Sequence, residues 1–89
     1  MDAVVIDGAL ASSRDALHTL LAQQLSFPDY YGRNLDALFD CLTDLPEAAT
    51  VRLLHREVLE ERLGRRGRAL VRLLRRAAEE NARLTLLEE

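Results

Sequence analysis

The sequence of 89 residues has one cysteine, no lysine and no tryptophan. Because Cys41 stands alone, no disulfide can form within the chain, which is typical of a reducing compartment. No segment approaches the ~18 apolar residues of a membrane span. The opening MDAVVIDG lacks the basic segment and apolar run of a secretory signal. We therefore expect a cytoplasmic protein without a membrane anchor.

Histidine and aromatic residues are also scarce, and this limits the chemistry that we expect. His18 and His55 have no cysteine or acidic spacing that indicates a metal site, so neither a metal nor another cofactor is expected. Hydrophobic residues make up 48% of the sequence, which suits one folded domain over residues 1–89. A domain of this size buries roughly 60–65% of its surface and has little room for a deep substrate cavity. We do not expect an enzyme.

The apolar pattern predicts alternating strands and helices. A buried strand at 3–6 is closed by Asp7 and Gly8, and two helices follow, one from Ser12 or Ser13 to before Pro28 and one from Asn34 to about Thr43. Further elements are expected at 50–54 (strand), 57–63 (helix), 68–80 (helix) and 84–87 (strand). Gly32 is expected at a special backbone position and Asn81 in the left-handed conformation. Helical connections favour parallel strands, so we predict an α/β fold with a three-stranded parallel sheet and about four helices.

Charge is divided sharply along the chain. Residues 29–47 have a net charge of -4, whereas residues 52–76 carry nine arginines against three glutamates. Asp36, Asp40 and Asp44 form an i, i+4, i+8 row that points away from the leucines of the same helix. Like charges at this spacing destabilise a helix by a few tenths of a kcal/mol. The row therefore indicates either a solvated acidic face or a surface that binds a cationic partner.

Aromatic residues border this row. Phe39 lies between the leucine face and the aspartate face, and Tyr30 and Tyr31 precede the helix. Aromatic side chains beside charged groups are common anchors in protein interfaces.

The segment LSFPDYYGRNLDALFDCLT, residues 25–43, resembles the barstar family of intracellular ribonuclease inhibitors. The DALHTL helix and the closing RRAAEENARLTLL segment extend the resemblance, which is weakest at 46–67. It implies a bacterial immunity-type protein that blocks a barnase-like secreted or toxin ribonuclease with its second helix. The residues that it assigns to the binding surface are Tyr30, Gly32, Asn34, Asp36, Phe39, Asp40 and Glu80, and the aspartate row adds Asp44.

The resemblance also implies a mechanism and contains departures from the family pattern. A carboxylate on a rigid helix can replace an RNA phosphate in a cationic pocket, and we assign this role to Asp40. Asp36 is expected to engage a neighbouring cation. Phe39 and Leu45 stand where the prototype has tryptophans, and Arg76 replaces a glutamate. The acidic surface is therefore reduced near Arg76, and the partner is expected to differ from barnase there.

Two other functions remain open. The first is an arginine-rich module that binds nucleic acid, although no aromatic residues interleave with its cations for base stacking. The cations concerned are Arg62, Arg65, Arg66, Arg68, Arg72, Arg75 and Arg76. The second is an interaction module that binds another basic protein. A catalytic acid/base pair of Asp36 and Asp40 is not expected, because a convex helix face encloses no substrate.

Overall fold

A parallel sheet with four helices forms the fold in the computed structural model, which describes residues 3–89. The elements in chain order are β1 (Val4–Asp7), α1 (Arg14–Gln24), α2 (Leu35–Thr43), β2 (Ala49–Leu54), α3 (Arg56–Leu63), α4 (Arg65–Glu80) and β3 (Leu84–Glu88). The strands lie in the order β1-β2-β3, and both pairs are parallel. The predicted α/β architecture is confirmed.

The core lies on one face of the sheet. In the central strand β2, Val51 and Leu53 are fully buried, while the intervening Arg52 lies towards the other face. Val5 in β1 and Leu87 in β3 are 41% and 45% exposed. This alternation shows that the other face is largely open to solvent, unlike the usual parallel sheet that is covered on both faces.

The junction of α3 and α4 differs from the prediction, because α4 begins at Arg65 and not near residue 68. Gly64 ends α3 with φ 60, a left-handed conformation that glycine adopts without strain, and α4 follows directly. Gly67 is buried within α4, since a Cβ there would lie 2.9 Å from the Leu59 carbonyl oxygen. Close packing of the two helices therefore requires a glycine that local propensity disfavours.

Helix α2 packs beside α4 and runs in the same direction. Leu38 and Leu42 are fully buried in the core. At the end of α2, the Asn81 Nδ2 donates to the Leu42 carbonyl oxygen over 2.9 Å. Asn81 itself has φ -124 and ψ 107, so the expected left-handed conformation was wrong. Its side chain instead joins the carboxyl ends of the two helices and fixes the direction in which α2 presents its outer face.

Candidate functional site

The acidic row projects into solvent from α2. Asn34 caps the helix, because its Oδ1 accepts from the Ala37 backbone N–H over 2.8 Å. Asp36, Asp40 and Asp44 are all exposed. The leucines on the opposite side of the helix hold it in the core, so the aspartates extend from a rigid support.

No cation of residues 3–89 forms an ion pair with any of these three carboxylates. The arginines that do form close pairs meet glutamates elsewhere. Arg75 contacts Glu88 at 2.6 Å, Arg52 contacts Glu89 at 2.6 Å, and Arg56 contacts Glu60 at 2.8 Å. The three carboxylates are therefore not engaged in ion pairs within the described part of the chain.

The loop before α2 is attached to α1 through Tyr31. Its hydroxyl is hydrogen-bonded to Nδ1 of His18, a residue only 3% exposed. The Phe27 and Tyr31 ring centroids are 4.9 Å apart. Burial raises the pKa of Tyr31 to about 12, and burial followed by the nearby Arg14 lowers that of His18. Both groups are therefore held in their neutral forms, and the tautomer of the imidazole sets which of them donates.

The neighbouring Tyr30 has the opposite environment and is 88% exposed. One tyrosine of the pair therefore fixes the loop, while the other presents its ring to solvent. The sequence pattern alone did not distinguish these roles.

Gly32 does not adopt the special backbone conformation expected for it. The residue with positive φ in this turn is Arg33, with φ 52. Arg14 donates to the Arg33 carbonyl oxygen over 3.0 Å and supports this turn. A Cβ at position 32 would lie 3.0 Å from Asn34 Nδ2. Glycine thus leaves room for the side chain that caps α2.

A groove of about 610 Å³ separates α2 from α4. Its lining residues are Leu35, Asp36, Phe39, Asp40, Ala69, Arg72, Leu73 and Arg76. The Arg76 guanidinium carbon lies 4.9 Å from the centroid of the half-buried Phe39 ring. Arg76 therefore stacks on the aromatic residue rather than pairing with an aspartate.

Arg72 was not predicted as part of this site, and the sequence contains only a weak signal for it. Its spacing of four residues from Arg76 places both cations on one face of α4. That this face lies beside the aspartates depends on how α2 and α4 pack. Glu80, also exposed, continues the same row one turn beyond Arg76.

Leu45 and Cys41 lie on the interior side of the same region. Leu45 is 7% exposed and belongs to the core. Cys41 is half-buried, and burial, reinforced by Asp40 and Asp44, raises the pKa of its thiol. A raised pKa leaves little thiolate, so Cys41 is not a reactive nucleophile.

Neither histidine belongs to a metal site in the described chain, where no group of three or more ligating side chains converges. His55 Nδ1 lies 2.9 Å from an Asp7 carboxylate oxygen, and this hydrogen bond lowers the pKa of Asp7.

None of the helices in residues 3–89 combines the length and hydropathy that a transmembrane helix requires.

Arginines outside the groove have mixed surroundings. Arg62 donates to the Ala9 carbonyl oxygen, while Arg56 and Arg75 are in ion pairs. Of the predicted basic patch, Arg62 and Arg75 are therefore engaged within the protein, whereas Arg56 lies outside that patch. These internal contacts weaken its similarity to a continuous nucleic-acid surface.

Two comparisons show which known proteins this chain is similar to. The family model described as Barstar (barnase inhibitor) matches residues 1–87. A Bacillus subtilis (strain 168) protein named "Putative ribonuclease inhibitor YrdF" is 55% identical over 49 residues. That alignment covers 52% of this chain and 54% of the relative, so the chain matches about half the length of this relative.

Proposed function

Because the chain belongs to the barstar family, we propose that it inhibits a barnase-like ribonuclease by placing the outer face of α2 in the active site of that enzyme. The observation that carries the proposal is the row of exposed aspartates without ion pairs in residues 3–89. A row of like charges destabilises its own helix, so a binding function gives a reason for its presence.

The mechanism follows from the chemistry of RNA binding. A ribonuclease holds an RNA phosphate with cationic side chains, which donate charge-assisted hydrogen bonds to its oxygens. The carboxylate of Asp40 offers two acceptor oxygens in the middle of α2 and can take the place of that phosphate. Asp36 lies one helical turn away, about 6 Å along the axis, and would meet an adjacent cation.

Asp36 and Asp40 need little rearrangement to act in this way. Their helix is capped by Asn34 and anchored by the buried Leu38 and Leu42. A rigid, pre-organised helix loses little conformational entropy on binding, and this favours affinity.

The aromatic residues extend the contact beyond the carboxylates. Tyr30 presents an exposed ring from the loop that Tyr31 holds in place. Phe39 presents part of its ring at the edge of the groove, and the Arg76 guanidinium covers another part of that ring. Aromatic anchors around a charged centre exclude water and strengthen its hydrogen bonds. Asp44 and Glu80 would lie at the rim, where exposed charges mainly affect the rate of association.

The partner would be a basic secreted or toxin ribonuclease, and the acidic face would accelerate its approach at low salt. The inhibitor would act in the cytoplasm as a single domain over residues 1–89, without a cofactor and without catalysis of its own. This arrangement protects a cell from its own nuclease before export.

Replacement of Asp40 by asparagine tests the mechanism directly. Asn keeps the shape of the side chain but removes the charge, so partner cations would be left buried without a counter-charge. We expect inhibition to weaken by about 2–3 kcal/mol or more, equivalent to at least roughly 30- to 150-fold. Asp44→Asn is the matched control, because it removes the same charge from the rim and should change inhibition only a few-fold.

The assay is the cleavage of RNA by barnase, and in parallel by the secreted ribonucleases of the source organism, at increasing inhibitor concentration. Circular dichroism and thermal unfolding establish that both variants remain folded. Equal inhibition by wild type and Asp40→Asn would contradict the phosphate-mimic mechanism. Failure of the wild type to inhibit any of these enzymes would contradict the proposed function itself.

A further inference from the structure

The groove between α2 and α4 separates two rows of opposite charge. Asp36 and Asp40 line it from α2, and Arg72 and Arg76 line it from α4, where the Arg76 guanidinium also lies over Phe39. All four side chains are exposed. None of the four is in an ion pair within the described part of the chain. The face is therefore bipolar and carries charge of both signs that remains open to a partner.

The two rows are parallel and have the same spacing. Each pair is four residues apart on a helix, which corresponds to about 6 Å along its axis. The contact of Arg76 with Phe39 and the hydrogen bond from Asn81 to Leu42 show that α2 and α4 run in the same direction. Asp36 and Arg72 therefore lie near one end of the groove, and Asp40 and Arg76 lie one turn further along.

Such a face is complementary to a second copy of itself. Consider a twofold axis that runs parallel to the groove between two copies. Rotation about this axis puts α4 of the second copy opposite α2 of the first, and each residue keeps its position along the helix axis. Each acidic wall then faces the basic wall of the other copy, and every contact occurs twice. Asp36 would meet Arg72 of the second copy, and Asp40 would meet its Arg76.

We propose that this chain forms a symmetric dimer through the α2–α4 groove. The half-buried Phe39 and the apolar floor of the groove would lie at the centre of the interface, surrounded by four intermolecular ion pairs. The charge complementarity ends at Asp44 and Glu80, because these two negative carboxylates would face each other across the interface. This limit makes the association weak and dependent on salt, as expected for exposed pairs.

The dimer would regulate the inhibitory surface, and this consequence rests on the proposed function. Because Asp36 and Asp40 take part in both contacts, a ribonuclease and a second copy would compete for one face. Because the association is weak, the second copy would cover the acidic row only at protein concentrations of about 1 mM, and a tighter-binding nuclease would displace it.

Charge exchange tests the interface without any nuclease. Asp40→Arg alone would place a new cation against Arg76, and Arg76→Asp alone would place a new carboxylate against Asp40. An equimolar mixture of the two variants restores both contacts, because every charge at position 40 then meets the opposite charge at position 76 of the other variant. Arg65→Asp is the control for Arg76→Asp, because it makes the same change in charge on α4 outside the groove.

The measurement is sedimentation equilibrium of the full chain at low and high salt, up to about 1 mM protein, because a few exposed ion pairs give affinities in this range. We expect the mass of the wild type to rise above 10.0 kDa at low salt. The dissociation constant should increase roughly tenfold at high salt. Each groove variant should remain a monomer while their mixture forms a heterodimer, and Arg65→Asp should behave like the wild type.

A wild type that stays at 10.0 kDa would overturn the proposal. Groove variants that associate as strongly as the wild type, or a mixture that fails to associate although both variants are folded, would also overturn it. A monomer that inhibits ribonuclease would leave the proposed function intact. If the wild type forms the dimer but inhibits no ribonuclease, the dimer is supported and the proposed function is contradicted.

Discussion

Protonation of His18 should make the fold and the loop before α2 sensitive to acid. The side chain is 3% exposed, and its Nδ1 is hydrogen-bonded to the Tyr31 hydroxyl. Burial, followed by the nearby Arg14, lowers the pKa of His18 from its usual 6.5. Protonation of the ring would place a charge in the buried site near Arg14 and Arg33, so the folded state resists this proton.

The magnitude follows from proton linkage. The unfolded chain binds the proton near pH 6.5, whereas the folded chain binds it only at lower pH. This contribution to stability is therefore complete above pH 6.5 and is lost as the pH falls. The loss grows by about 1.4 kcal/mol for each pH unit until the pKa of the folded state is reached. One unit corresponds to roughly a tenth to a quarter of the stability of an ordinary domain.

Urea unfolding of the wild type and His18→Gln between about pH 5 and pH 8 measures this effect, because histidine titrates in that range. The glutamine amide can hydrogen-bond to Tyr31 but does not titrate, so we expect the slope below pH 6.5 to become flatter. His55→Gln is the comparison variant. It removes the other histidine, which is exposed and hydrogen-bonded to Asp7, so any change that it makes in the slope measures that pair. If His18→Gln keeps the wild-type slope, the linkage argument is wrong.

Three further substitutions test the support of the acidic face. Leu42→Ala should lower the free energy of unfolding by about 2–5 kcal/mol because Leu42 is fully buried, whereas Leu10→Ala, at a position 79% exposed, should have little effect in the same chemical denaturation assay. Gly8→Ala should cost about 3 kcal/mol in that assay, since its Cβ would lie 2.2 Å from the His55 carbonyl oxygen, and wild-type stability would refute this packing. Asn34→Ala should cost about 1 kcal/mol while Asn34→Asp retains the cap, and equal thermal stability of these two variants would contradict the capping role.

Helix α2 was predictable because its local signals agree. Asn34 marks its start, the leucines repeat at helical spacing, and Asp44 and Pro46 follow its end. The structure places it at Leu35–Thr43. The exposure of the three aspartates follows from the same periodicity, since the buried Leu38 and Leu42 determine which side faces outward.

The start of α4 could not be predicted, because tertiary packing overrides local propensity there. Gly64 and Gly67 both disfavour a helix in isolation, so the pattern predicts a start near residue 68. In the fold, Gly67 lets the α3 backbone approach closely, and this contact compensates for the propensity of glycine. The start at Arg65 is therefore a property of two helices and not of one segment.

The finer geometry of the site also depends on distant contacts. Tyr31 and His18 are 13 residues apart, and nothing in the local pattern of either residue indicates their hydrogen bond. The stacking of Arg76 on Phe39 similarly depends on the packing of α4 against α2. The sequence indicates which residues carry charge, while the packing decides which of those charges meet.

Arg76 shows how this packing limits the choice of partner. Its guanidinium is held over Phe39, beside Asp40, so a protein that engages the aspartate must also accommodate the cation. A partner with a carboxylate opposite Arg76 would gain a charge-assisted contact, whereas a cation at that point would be repelled. Partial burial on docking strengthens both effects, because removal of water lowers the local dielectric constant. Under the proposed function, Arg76 would discriminate between nucleases that share the same cationic pocket, through attraction to one and repulsion of another.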